Sequence, residues 1–477
     1  MLLPTILTLG LIATTISAQN SVLNIEQNIA PSLAQNSLLN ESQQFFPQFE
    51  EQNVAQQNAD QQSADQQNAG QQNIVPQNQA TPAEQFTYQA MMQISNGTEK
   101  FSLELYKRLA LALDELPEGR DFIISPFSVW SLLILTAEGA EGKTYTELQD
   151  VLGLPRDLTY IREGYRHIQN SLKVNTSTIE LAVEQVMFSD KNRPVERDYE
   201  DKLLRIYEAD IVPIDFHNTV EAYFEINDYV EAKTRGKISK IVQPEDLHDL
   251  QMVLVSAIFF KGEWKFPFDR TDTKEEPFFD ESGNNLGTVN MMTQKGAFGY
   301  AVHPELMAHV LELPYGNENR LSMYVLLPRK GLALSRVIEN IGKVGIARIM
   351  KDIEDSQAKY EDDEVEVFLP RIRITADFTL NVVLEQMGLI DIFDANKANL
   401  SGIAKFSPYL SRIIHKAKIE VNEEGTVAAA VTGGTFVNKN SPSRFYANRP
   451  FAFLIVEKRS KLLLFSGQVK NPTKDKY

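Results

Sequence analysis

Residues Glu423 to Asn440 read EEGTVAAAVTGGTFVNKN. From Gly425 to Asn438 this run has no charged residue and no proline, in a chain that is 23% charged. An ordinary surface loop has no need to be uniformly small, and an ordinary helix would not carry Gly433-Gly434. The run sits just ahead of Lys439, close to the C-terminal end, and any account of the fold has to explain it.

The chain around it has 477 residues, enough for one large domain or two smaller ones. A net charge of −17 argues against nucleic acid as a main partner, because such binding needs a basic footprint. With no cysteine, disulfides, thiolate metal sites and cysteine nucleophiles are excluded. At the N-terminus an apolar run from Leu2 to Ile16, followed by Ser17 and Ala18, is too short for a membrane span. It has the length of a signal-peptide core with cleavage after Ala18, although no Lys or Arg precedes it. Residues 1–18 are therefore read as a signal peptide and the protein as secreted, with no later segment of membrane-spanning length. Residues 19–95 contain QQNADQQSADQQNAGQQN (56–73), a Gln/Asn-rich quasi-repeat. Such a segment buries too little apolar surface to offset the entropy of ordering, so it reads as a disordered extension.

From residue 96 to 477 the chain reads as one domain. KFSLELYKRLALALDEL has helical length and helix formers, and stops before Pro117. SPFSVWSLLILTAEG opens with Ser125 and Pro126 as helix-start signals. MVLVSAIFFKGEWKFPF and LSMYVLLPRK are β-branched and aromatic runs that read as buried strands. VEVFLPRIRITADF has strand character broken at Pro370, and RPFAFLIVEKRSKLLLFSGQV reads as two strands joined by a charged turn at Lys458 to Lys461. Helices dominate the first part and strands the second, so the class is α+β.

Several chemical motifs fail. EGKT lacks the glycine that a phosphate loop needs five residues before Gly142, where Ala137 stands. The six histidines show no HExxH spacing, and no serine lies in G-x-S-x-G. No catalytic group, metal or cofactor is expected. Asn40, Asn96, Asn175 and Asn399 are glycosylation candidates by their sequons.

HKAKIEVNEEGTVAAA (415–430) resembles the hinge region of serpins, the family of suicide serine-protease inhibitors. SPFSVWSLLILTAEGAEGKT, INDYVEAKTRGKI, AIFFKGEWKFPF, VLELPY, FLPRIRI and RPFAFLI with LFSGQV are similar to further serpin motifs, in the family's order, and together cover residues 96–477. The extension and the sequence around Lys439 resemble insect haemolymph serpins that restrain clip-domain protease cascades. The resemblance implies about nine helices around a large mixed five-stranded sheet, two smaller sheets, and an exposed reactive-centre loop over about residues 423–449. It also implies a hinge at Glu423, Glu424, Gly425, Thr426, Ala428, Ala429 and Ala430. Ser125, Ser128, Gln185, Trp264 and His415 would lie beneath or at the top of the central sheet. Gln185 and Ser256 stand where the family commonly has Asn, and Tyr229 where Trp is frequent, so sheet opening is expected to be tuned.

That family's loop enters the sheet after it is cut, and the opening stretch meets the physical demands of the step. A central strand excludes Pro, and charge carried into the interior would cost several kcal/mol. At period two Thr426, Ala428, Ala430 and Thr432 share one face, and all are small. The resemblance puts the reactive bond at Lys439–Asn440, with Arg444 as the rival scissile residue. A Lys there suits a trypsin-like protease with an acidic pocket, held in a covalent 1:1 complex by an inhibitor that is a monomer beforehand. The alternative function is a non-inhibitory carrier or binding module. Arg156, Arg162, Arg166 and Lys173 are the candidates for a polyanion-binding face.

Overall fold

The computed structural model describes residues 81–115, 120–173, 176–248, 250–359, 364–406, 408–426 and 443–474. The signal-peptide and extension readings over residues 1–80, Asn40, Asn175, and the loop residues Ala428 to Asn440 lie outside the described residues.

Nine α-helices occur among the described residues: α1 (Pro82–Asp114), α2 (Pro126–Ala137), α3 (Gly142–Leu152), α4 (Leu158–Leu172), α5 (Arg197–Lys202), α6 (Thr219–Lys233), α7 (Leu334–Val344), α8 (Ile346–Lys359) and α9 (Asn381–Met387). The strands are β1 (Phe122–Ile124), β2 (Ile179–Asp190), β3 (Asp210–Ile214), β4 (Met252–Glu263), β5 (Lys274–Phe279), β6 (Asn285–Gly296), β7 (Gly299–His303) and β8 (Ala308–Tyr315). They continue with β9 (Leu321–Pro328), β10 (Val365–Pro370), β11 (Ile372–Thr379), β12 (Arg412–Val421), β13 (Gly425–Thr426), β14 (Ser443–Tyr446), β15 (Phe451–Glu457) and β16 (Leu462–Val469).

The first helix corrects the boundary read at residue 96. It starts at Pro82, where Thr81 and Glu84 form a reciprocal capping box and Pro82 takes the first-turn position. Residues 82–95 belong to this helix rather than to the extension, because Ala90 and Ile94 continue the buried stripe of Phe101, Leu105 and Leu109. The second helix follows its sequence signals: the Ser125 side chain caps the N–H of Ser128, and every residue from Pro126 to Ala137 is buried.

The central mixed sheet has the order β11-β12-β4-β2-β3, and the two-residue β13 adds to β4. β12 and β4 run parallel and the flanking β11–β12 and β4–β2 pairs are antiparallel. Five long strands match expectation; the short sixth was not anticipated. The second sheet, β1-β16-β15-β9-β8-β7, also has six strands, and all its pairs are antiparallel. The third has the order β14-β10-β6-β5.

β4 is an apolar run because both its faces are covered. Met252, Leu254, Ile258 and Phe260 join the main core, whereas Val253, Val255 and Ala257 pack with Ala222, Ile226 and Val230 of α6. The break between β10 and β11 falls at Arg371, directly after Pro370.

Candidate functional site

The site is built at the top of the seam between β12 and β4. Their ladder holds six residue pairs, from Arg412↔Val253 to Ala417↔Ile258, and then ends. Above it lies a gap of about 70 Å³ lined by Lys237, Ile238, Ile258, Phe259, Phe260, Lys418 and Glu420. Above the gap, Gly425 and Thr426 pair antiparallel with Glu263 and Gly262 of β4. Gly425 has φ +130°, and a Cβ there would lie 2.3 Å from the Gly262 carbonyl oxygen, so glycine is required.

Two buried glutamates fasten the chain just before this pair. Glu423 accepts hydrogen bonds from Arg371 Nε (2.9 Å) and Nη2 (2.7 Å), and from the Thr273 hydroxyl. Burial raises the pKa of its carboxyl, but the bonds from Arg371 and Thr273 outweigh that and hold it below the ordinary glutamate value. Glu424 pairs with Arg270. The Trp264 indole donates to the Asn422 carbonyl at 3.0 Å, its backbone N–H donates to the Glu424 carbonyl at 2.8 Å, and its ring stacks on Tyr315 with centroids 4.4 Å apart.

Lower down, Gln185, Ser256 and His415 form a row across β2, β4 and β12, paired in register. His415 Nε2 accepts from the Ser125 N–H at 3.1 Å. Complete burial pushes the His415 pKa down to about 3, so the ring is neutral. Its Nδ1 and the Ser256 hydroxyl have no hydrogen-bond partner among the described residues.

The central sheet thus has a parted upper seam, a glycine paired at its top and a buried polar row below. The family profile described as "Serpin (serine protease inhibitor)" matches residues 96–472. This chain belongs to the serpin family. Human Serpin A9 is 35% identical over 384 residues, covering 78% of this chain and 88% of the relative. Mouse leukocyte elastase inhibitor A is 33% identical over 389 residues, covering 80% and 100%. Among solved structures, Manduca sexta serine protease inhibitor (serpin)-12 shares 26% identity and a TM-score of 0.68, covering 80% of this chain and 99% of that one. Human thyroxine-binding globulin shares 28% identity and the same TM-score over the same shares.

Within this serpin the structure brings Ser125, Ser128 and His415 together, and Ser128 Oγ donates to the Ser125 carbonyl at 3.0 Å. Gln185 carries its amide to Ser131 of α2, whose hydroxyl donates to the Ser128 carbonyl at 3.1 Å, and to Tyr165 of α4, whose hydroxyl donates to Gln185 Oε1 at 3.3 Å. Tyr229 packs edge-on against Phe188 with centroids 5.7 Å apart, and its hydroxyl donates to Asp210. Sequence reasoning missed Arg371, Arg270, Thr273, Ser131 and Tyr165. Arg371 stood within the quoted FLPRIRI, but nothing local tied it to a glutamate 52 positions away.

Arg444, the rival scissile residue, lies in β14, where its Nε is 2.6 Å from Glu366 and its guanidinium sits over the Phe368 ring. Three of the four polyanion candidates are committed to carboxylates: Arg162 to Glu138, Arg166 to Glu163 and Lys173 to Glu208. Asn96 is exposed on α1, whereas Asn399 is half-buried and its Oδ1 accepts from Ser401 Oγ at 2.8 Å.

Proposed function

We propose that this serpin is a secreted inhibitor of a trypsin-like serine protease that traps its target by inserting the loop after Gly425 into the central sheet. One observation carries the reading: Gly425 and Thr426 are already paired to β4 above an open seam. Continuing that register downward would set Ala428 opposite Phe260, Ala430 opposite Ile258 and Thr432 opposite Ser256, on the face that meets the main core. Each is small and uncharged, as burial there demands. Phe436 would then meet Met252, the first residue of β4, and Lys439 would lie beyond that end of the strand. The displacement from Thr426 to Lys439 is roughly 45 Å at about 3.3 Å per residue.

In this mechanism the protease serine attacks the Lys439 carbonyl. The amide bond to Asn440 breaks, the new amine of Asn440 takes the proton, and Lys439 is left as an ester on the enzyme. Insertion parts the six-pair ladder of β12 and β4 and carries the protease away before water cleaves the ester. The starting fold persists because its barrier is high, so its lifetime is set by rates. The commitment of Arg444 to Glu366 supports Lys439 as the reactive residue.

The N-terminal apolar run supports secretion. The insect-like features support an extracellular cascade partner of clip-domain type, acting in melanisation or Toll-type immunity. The likeness to thyroxine-binding globulin speaks to a carrier role through fold alone, and the small, neutral hinge weighs against it.

Incubation with trypsin, a denaturing gel and the intact mass of the released peptide test the proposal. An SDS-resistant complex and a C-terminal peptide beginning at Asn440 are expected, and Lys439→Ala should abolish both. Cleavage without a complex would overturn inhibition, and a peptide beginning at Phe445 would move the bond to Arg444.

A further inference from the structure

Residues 82–95 form about four helical turns ahead of the family match, which begins at residue 96. These turns are packed against α4. Ala90 and Ile94 are fully buried. They face Gly164, where a Cβ would lie 2.6 Å from Ile94 Cγ1 and 2.7 Å from the Ala90 carbonyl oxygen, so the glycine lets the Ile94 side chain and the Ala90 backbone pack directly on the backbone of α4. Nearby, the Phe86 ring lies 4.5 Å from that of Tyr160. Thr87 Oγ1 donates to Glu163 at 3.3 Å, and the Tyr160 hydroxyl donates to Gln89 at 3.4 Å.

The same helix α4 presents Tyr165 to the central sheet. Its buried hydroxyl donates to Gln185 Oε1 and accepts from Gln169 at 3.1 Å, while the Gln185 amide donates to Ser131 of α2. Gln185 belongs to β2, and β4, β2 and β3 form one side of the β12–β4 seam. Because Gln185 of β2 bonds Ser131 of α2 and Tyr165 of α4, opening the seam would have to shift that block relative to the two helices. Directly at the seam, Ser256 and His415 oppose each other in register, yet the hydroxyl and Nδ1 have no hydrogen-bond partner among the described residues. Among the described residues, the polar row is therefore tied to the helices through Gln185 at one end and through Ser125 and His415 at the other.

We propose that residues 82–95 are a brace: by pinning α4 they hold Tyr165 on Gln185 and keep the β4–β2–β3 block closed, so this added helix and Gln185 set how readily the sheet parts. The geometry stands without the inhibitory reading, but the consequence for trapping rests on it. A looser brace lets the loop insert faster after cleavage, and it also shortens the life of the uncut form.

Hydrogen exchange on the full chain tests this. Phe86→Ala/Thr87→Val and Tyr165→Phe should each speed exchange of the 179–190 amides about tenfold, the size expected when one net hydrogen bond is lost. Combining them should give no further gain, and exchange in 451–469 should stay unchanged. Tyr88→Ala/Met92→Ala, on the exposed side of the same turns, should change nothing. Unchanged exchange in 179–190, a multiplied effect in the combination, or an equal effect from the exposed pair would each overturn the brace. Trypsin trapping is read in parallel, with fewer inhibitor molecules consumed per trypsin trapped and an unchanged rate of loop cleavage expected for the loosened variants. Failure of every form, the parent included, to trap trypsin would sink the inhibitory reading, and the exchange data would still decide the brace.

Discussion

Arg371→Met would strand the Glu423 carboxylate, whose side chain is only 2% exposed, without its cation. Removing one partner of a buried pair costs about 3–5 kcal/mol. The lower end applies, because Arg371 is itself about a quarter exposed and Thr273 still donates. With roughly 2.1 cal/mol/K of unfolding entropy per residue over the ordered chain, about 3 kcal/mol lowers the melting temperature by about 4 °C. The pH response carries the sharper signature. In the parent the folded pKa of Glu423 is lowered, so its contribution is present above the ordinary glutamate value of 4.5 and is lost as pH falls through the folded pKa. In Arg371→Met the unpaired carboxylate has a raised pKa, so the deficit relative to the parent shrinks on acidification toward pH 5. Arg371→Met/Glu423→Gln removes the stranded charge and should recover most of the loss. Scanning calorimetry of the uncut proteins at fixed scan rate, at pH 7.5 and 5, measures all of this. A double variant as unstable as Arg371→Met, or a deficit that does not depend on pH, would refute the clamp.

Ala428→Glu should leave the rate of loop cleavage by trypsin unchanged while abolishing the SDS-resistant complex, because a charge entering the sheet stalls insertion. An intact complex would refute the insertion face. Gly425→Ala forces a Cβ toward the Gly262 carbonyl and strains the backbone by about 1–3 kcal/mol. The hinge should leave β4 and the emission of Trp264 should shift red, whereas Trp130 stays bonded to the Leu152 carbonyl; unchanged emission would count against the pairing. His415 titrates at about 3 in the closed sheet against an ordinary value of 6.5, so stability falls as pH drops below 6.5, by about 2 kcal/mol at pH 5. His415→Asn should flatten that slope in thermal unfolding between pH 7 and 5, and an unaltered slope would assign it elsewhere.

The small, uncharged run after Gly425 stood out because the proposed insertion would restrict composition over many consecutive residues, and β4, β9, β15 and β16 were legible because strands buried on both faces need long apolar runs. The start of α1 was not. Gln85, Gln89 and Gln93 continue the glutamine-rich texture of the preceding segment, and Ala90 and Ile94 alone mark the buried side. The partners of Gln185 were hidden for another reason. The sequence showed that its arm is longer than the usual Asn, but the direction of that arm is set by Tyr165, which α4 delivers from a different part of the chain. The Glu423–Arg371 clamp depends likewise on β11 and β12 lying side by side, a tertiary fact with no local trace.

The position of the last two strands governs how the molecule is made. β15 and β16, drawn from residues 451–469, fill the middle of a sheet whose flanks are β1 from residues 122–124 and β9 from residues 321–328. Tyr106 reaches forward to the Gly467 carbonyl at 2.9 Å, a contact spanning 361 residues. During synthesis the earlier strands must wait on the ribosome with raw edges until this hairpin emerges. Maturation therefore follows translation, and a nascent chain held short of residue 451 is an aggregation hazard that chaperones must shield.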